Sequence, residues 1–115
     1  MATVVYKILS QDAWARARAE GVFLGAPVDR ADGYIHFSTA AQVRETAAKH
    51  FAGLGDLVLV AVDADRLGAA LKWEPSRGGA LFPHLYGPLD PALAGDVVDL
   101  PLGPDGRHRF PEMIP

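Results

Sequence analysis

The chain has 115 residues, half of them hydrophobic, with a formal net charge of -3 and no cysteine. This is enough for one domain with a real core. The absence of cysteine excludes a disulfide framework, a thiolate metal site and a cysteine nucleophile, and the negative charge argues against general nucleic-acid affinity. No apolar run approaches the roughly 18 residues of a membrane span, and no basic stretch leads into an apolar leader segment, so a single cytoplasmic domain over 1–115 is expected.

Val4-Val5-Tyr6-Lys7-Ile8-Leu9 is β-rich and predicts a first strand, with Val4, Tyr6 and Ile8 on one face and Val5, Lys7 and Leu9 on the other. Ser10 is placed to cap a helix over Gln11–Glu20, with Asp12 in its first turn and Gly21 as its stop. Trp14 and Ala17 mark its inner side, and Val22-Phe23-Leu24 is a short docking link. Gly25 to Asp32 is expected to be a polar turn.

Gly33 to Ser38 reads as a strand that runs into a helix start. Tyr34, His36 and Ser38 fall on one face, and Ile35 and Phe37 on the other. A polar row beside a helix N-terminus suits a ligand-binding edge; a strand with one solvated face has the same pattern. Thr39 and Gln42 fit a capping box for a helix from about Ala40 to Phe51.

Leu57-Val58-Leu59-Val60-Ala61-Val62 predicts a central strand buried on both faces, followed by a single helical turn capped by Asp63. Leu71 to Glu74 predicts another strand, ended by Pro75. Ser76-Arg77-Gly78-Gly79 is a loop. Leu85-Tyr86-Gly87 is expected as a short edge strand, because the flanking prolines oppose central pairing. Pro91–Ala94 is a helical turn, Val97–Leu100 the last strand, and 102–115 an extended tail. The order βαβαββββ predicts an α+β fold: two small packed β-sheets with two main flanking helices.

Three constellations carry possible chemistry. The first is His36, with Ser38 and Thr39, an imidazole suited to proton transfer near neutral pH. The second is Glu74, a base or ribose ligand at a strand end, with Arg77 beside two glycines as a phosphate holder; a Glu74–Arg77 surface pair explains the same residues. The third is His84 and Tyr86, two apart and hence on one face. The four histidines have no metal-ligand spacing, so no metal site is expected. No GxSxG elbow is present.

The runs YKI, DGYIHFSTAAQ, KWEPSRGG and LFPHLYG, together with Trp14, resemble the small bacterial proteins of domain-of-unknown-function family 952 over about residues 4–111. A remoter resemblance, over about 4–67, is to the catalytic domain of RNA 2′-phosphotransferases, of the ADP-ribosyltransferase fold. That resemblance implies two small sheets around a cleft for NAD or an ADP-ribose-like nucleotide. In it Tyr6 matches the first-strand tyrosine, His36 and Ser38 the His-hydrophobic-Ser motif, and Val62-Asp63 the Val-Asp motif. Lys7 and Tyr34 stand where that family carries histidines. The expected cleft is lined by catalytic His36, Glu74 and His84, with Tyr6, Ser38, Arg77 and Tyr86 binding the cofactor. The alternative is a non-catalytic module for a small anion or metabolite on the same scaffold.

Overall fold

The computed structural model describes residues 3–76 and 78–111. The fold is α+β, with two small antiparallel sheets. The larger has the order β3-β1-β4-β7, from Ser38–Thr39, Val4–Ser10, Leu57–Asp63 and Ala94–Leu100. The smaller has the order β2-β6-β5, from Ile35–His36, Ala80–Leu85 and Leu71–Ser76. Helix α1 spans Gln11–Glu20, α2 Pro27–Asp32, α3 Val43–His50 and α4 Ala64–Leu67.

β4 organises the core because both its faces are apolar. Val58, Val60 and Val62 face a cluster with Val5, Leu9, Trp14, Ile35, Phe37 and Leu85, between the sheets and under α1. Leu57 and Leu59 face a second cluster with Ile8, Val43, Ala47 and Leu100, covered by α3 and flanked by Phe110 of the C-terminal segment. The caps of the helices flanking β1 and β4 follow their sequence. Ser10 Oγ accepts from Ala13 N at 3.0 Å, Gly21 closes α1 at φ 78°, and Asp63 Oδ1 accepts from Asp65 N at 3.0 Å.

Five expectations are corrected. Gly25 to Asp32 is not a turn throughout: Pro27 starts α2, and the Asp29 carboxylate reaches back to Ala26 N–H at 2.8 Å. Proline at the first helical position lacks only an N–H that a helix start leaves unpaired anyway. The focal strand is split. Ile35–His36 pairs with β6, Ser38–Thr39 pairs with β1, and Phe37 is the crossover between sheets, 1% exposed, donating its N–H to Pro83 O at 3.0 Å. The helix expected from about Ala40 is the shorter α3, because Thr39 N donates to Gln42 Oε1 at 3.1 Å within a turn that precedes it.

The prolines mislead most. Pro75 lies within β5, and β6 is the middle strand of its sheet although it contains Pro83. Pro83 stands opposite Trp73, and Pro75 opposite Leu81. The Pro83 carbonyl points to Phe37, away from β5, so its missing N–H is on that side too. Both prolines thus occupy positions that take no hydrogen bond from the β5–β6 ladder.

Phe37→Ala is expected to destabilise the protein by about 3–5 kcal/mol, because a fully buried ring at the sheet crossover leaves a cavity. Leu24, 58% exposed, should tolerate alanine within about 0.5 kcal/mol. Urea unfolding of the two variants checks the contrast; equal midpoints would contradict this account of the crossover.

Candidate functional site

The site is built around a charge that the alternation of β1 puts inside. Lys7 shares the face of Val5 and Leu9 and is 5% exposed. A buried ammonium needs an anion. Asp29 of α2, 1% exposed, supplies it, with its carboxylate oxygens 3.1 and 3.0 Å from Lys7 Nζ. The same carboxylate accepts from Ala26 N at 2.8 Å and from His36 N at 3.1 Å. Its Oδ1 also lies 2.6 Å from His36 Nδ1.

Burial pushes the Asp29 carboxyl up. The His36 hydrogen bond, the Lys7 charge and the Ala26 N–H outweigh it and hold the group at about 2. At neutral pH Asp29 is therefore an acceptor only, and His36 Nδ1 is the donor in their contact. The other ring nitrogen, Nε2, faces Asp32 Oδ2 at 2.9 Å. Asp32 is 45% exposed, so a ligand hydroxyl can take its place at Nε2.

A second carboxylate–histidine pair lies next to the first. His36 and His84 are register partners across β2 and β6, with ring centroids 5.6 Å apart. His84 is buried, and its Nδ1 meets Glu74 Oε1 at 2.8 Å. Tyr86 donates its hydroxyl to the same oxygen at 2.7 Å. The bond from Tyr86, and then that from His84, lowers the Glu74 carboxyl, while the Tyr86 phenol is pushed up to about 12, chiefly by its bond to Glu74. The Tyr34 ring stacks on His84 at 4.1 Å and lies tilted against His36 and Tyr86 at 4.7 and 5.2 Å. Tyr34 thus joins the two pairs.

A cleft of about 470 Å³ opens beside them, lined among others by Tyr6, Lys7, Asp32, Tyr34, His36 and Ser38. Tyr6 and Ser38 are register partners on β1 and β3. Ser38 Oγ and Thr46 Oγ1 are 2.9 Å apart, which ties this wall to α3. Ser76 lines the cleft from the end of β5.

Of the residues singled out in the sequence, His36, Ser38 and Tyr6 come together around this cleft, and Glu74, His84 and Tyr86 form the adjoining network. Thr39 contributes its backbone N–H to the turn before α3. Arg77 lies outside the described residues. Sequence reasoning missed Asp29, Asp32 and the structural part of Lys7. One signal was present: a lysine alternating with Val5 and Leu9 demands a buried carboxylate, and the next acidic loop holds Asp29 and Asp32. Among the described residues, no three His, Asp or Glu side chains group as a metal site.

Asp29→Asn would leave Lys7 buried without its anion, and an expected loss of about 3–5 kcal/mol follows. The folded carboxyl titrates near 2, below its ordinary value of 3.8. The unfolded chain therefore takes up the proton first. The contribution of Asp29 is complete above about pH 4 and is lost as pH falls toward 2, about 2 kcal/mol in all. Urea unfolding between pH 7 and 2 should show this acid loss in the wild type and not in Asp29→Asn. Parallel pH profiles, or an unchanged midpoint at pH 7, would contradict the assignment.

The protein-family model for proteins of unknown function, DUF952, matches residues 8–98. The crystal structure of protein CC0527 from Caulobacter crescentus is similar, with 53% identity and a TM-score of 0.90, over 93% of this chain and 94% of that one. A double mutant of that protein is 51% identical with a TM-score of 0.89, over the same shares. Its solution NMR structure is 54% identical with a TM-score of 0.82, over 90% of each chain. No curated protein matches the sequence. Two sheets joined at Phe37 and a family match across most of the chain lead to one statement: the chain belongs to the DUF952 family of proteins of unknown function.

Proposed function

We propose that this protein is a cytoplasmic, degenerate enzyme of the ADP-ribosyltransferase type that binds NAD or an ADP-ribose-like nucleotide in the His36 cleft. The observation that carries this reading is the His36 ring, held through Nδ1 by buried Asp29 with Nε2 facing Asp32 at the cleft. Tyr6, Tyr34 and Ser38 stand around it, two aromatic rings and a hydroxyl. Two packed sheets beside such a cleft agree with the reading.

The electrostatics favour the nicotinamide-ribose end of such a ligand. Asp29 offsets Lys7, and Asp32 lies at the wall. A hydroxyl-rich or cationic ring suits these surroundings better than a phosphate. Glu74 favours binding over turnover. Its Oε1 is engaged by both His84 and Tyr86 within the molecule's own hydrogen-bond network. The same observation supports the second reading, a non-catalytic module for another small metabolite.

Isothermal titration with NAD and with ADP-ribose tests the proposal. Heat is expected with at least one of them, and His36→Ala should weaken that affinity about tenfold or more, or about 1.4 kcal/mol, while the variant remains folded by its melting curve. Absence of heat with both ligands, or wild-type affinity in His36→Ala, would overturn it.

A further inference from the structure

Strand β7 closes one side of the large sheet, and its outer edge has no strand beside it. It pairs with β4 alone, in the register Val58–Asp99, Leu59–Val98 and Val60–Val97. In an antiparallel pair every second residue turns its N–H and C=O away from the partner strand. Among the described residues, the backbone of Gly95 to Asp99 forms no hydrogen bond outside this ladder. Gly95, Asp96, Val97 and Asp99 are exposed to solvent. An open edge of this kind is a template for another extended chain.

The side chains say what kind of chain it fits. Alternation puts Val97 and Asp99 on the α1 side of the sheet. Val97 lines a cleft of about 570 Å³ with Trp14 and Arg18, and Asp99 Oδ1 accepts from Gln11 Nε2 at 3.4 Å. Asp96 and Val98 lie on the α3 side, where Val98 packs on the cluster of Val43 and Ala47. Each face of the edge thus carries one carboxylate and one valine. In the cleft beside Val97, Arg18 and Asp90 offset each other in formal charge, so Asp96 and Asp99 set the sign of the edge. Among the described residues the Asp96 carboxylate has no hydrogen bond or ion pair.

A second copy of the chain is the wrong occupant. Pairing β7 with β7 would bring two Asp96 and two Asp99 to one seam, and like charges on neighbouring strands repel. The register shift between Val60 and Val62 leaves an extra residue at Gly95-Asp96, a bulge that bends the edge and guards it in the same way. A chain carrying the opposite charge turns the two carboxylates from a barrier into an attraction.

We propose that the β7 edge docks an extended segment of a partner protein in which two cationic residues flank two apolar ones. Paired antiparallel, the cations stand opposite Asp96 and Asp99, and the apolar residues opposite Val97 and Val98. Residues directly opposite share a face, so each cation lies on the side of its carboxylate. Main-chain hydrogen bonds supply affinity, and the cross-strand pairs select the sequence. The inference does not involve the His36 cleft.

The probe is the end-blocked peptide Thr-Lys-Val-Val-Lys-Thr, titrated into the isotope-labelled full chain and followed by amide chemical shifts. Saturable shifts in the millimolar range are expected at Gly95 to Asp99, with affinity falling as salt rises. Thr-Glu-Val-Val-Glu-Thr should bind at least tenfold more weakly. The lysine peptide methylated on both valine nitrogens should also lose about tenfold or more, because one of those two N–H groups must point at β7. The double variant Asp96→Lys, Asp99→Lys should reverse the preference between the two charged peptides, a result that loss of structure cannot produce. If its melting temperature falls, Asp96→Lys alone supplies the comparison. Shifts centred elsewhere or absent, equal binding of the two charged peptides, or indifference to methylation would overturn the proposal. So would sedimentation showing that the chain alone dimerises and that Asp96→Lys alters the dimer.

Discussion

The fold's site depends on one buried carboxylate. Asp29 neutralises a lysine that strand alternation forces inward, caps the N-terminus of α2, and holds both the backbone and the ring of His36. Each of these partners comes from a different part of the chain: β1, the loop before α2, and β2. Burying a charge is costly unless it is paired and fully hydrogen-bonded, and here the bonds are sufficient to keep the acid ionised to about pH 2. The consequence for function is orientation. An imidazole fixed at Nδ1 presents Nε2 in a constant direction, the arrangement by which a carboxylate sets the tautomer of a histidine.

The cleft follows from how the two sheets are joined. In five residues the chain leaves one sheet and enters the other, with Phe37 as the buried hinge point. His36 therefore belongs to the small sheet and Ser38 to the large one, yet both line the same concavity. A continuous strand would have placed them in one plane beside the same neighbours. The molecule also separates its charges. Asp29 and Asp32 flank the His36 ring, while Arg44, Arg107 and Arg109 line the cleft where α3 meets the C-terminal segment.

Much of the framework was legible in the residues. The β1 alternation, the Ser10 and Asp63 caps, Gly21 and the doubly buried β4 all follow local rules that the structure obeys. His36 and Ser38 were readable as one polar row, whereas Tyr6 joined them only through the family resemblance; the structure opposes Tyr6 and Ser38 across two strands. The β5–β6 hairpin was not legible, since whether a proline breaks a ladder depends on register, which local sequence does not specify. Asp29 was hidden for a related reason. In sequence it is one of several acids in a polar stretch, and its weight comes from Lys7, 22 residues away. A lysine on an apolar strand face was the readable half of that pair.

The central claim is that Asp29 fixes the His36 ring by accepting a proton held on Nδ1. Long-range proton–nitrogen NMR correlation of the histidine rings at neutral pH tests this directly. The account predicts a His36 Nδ1 that carries its proton, with a strongly downfield hydrogen-bonded resonance that is lost in Asp29→Asn. A His36 ring protonated only at Nε2, or a spectrum that Asp29→Asn leaves unchanged, would contradict it.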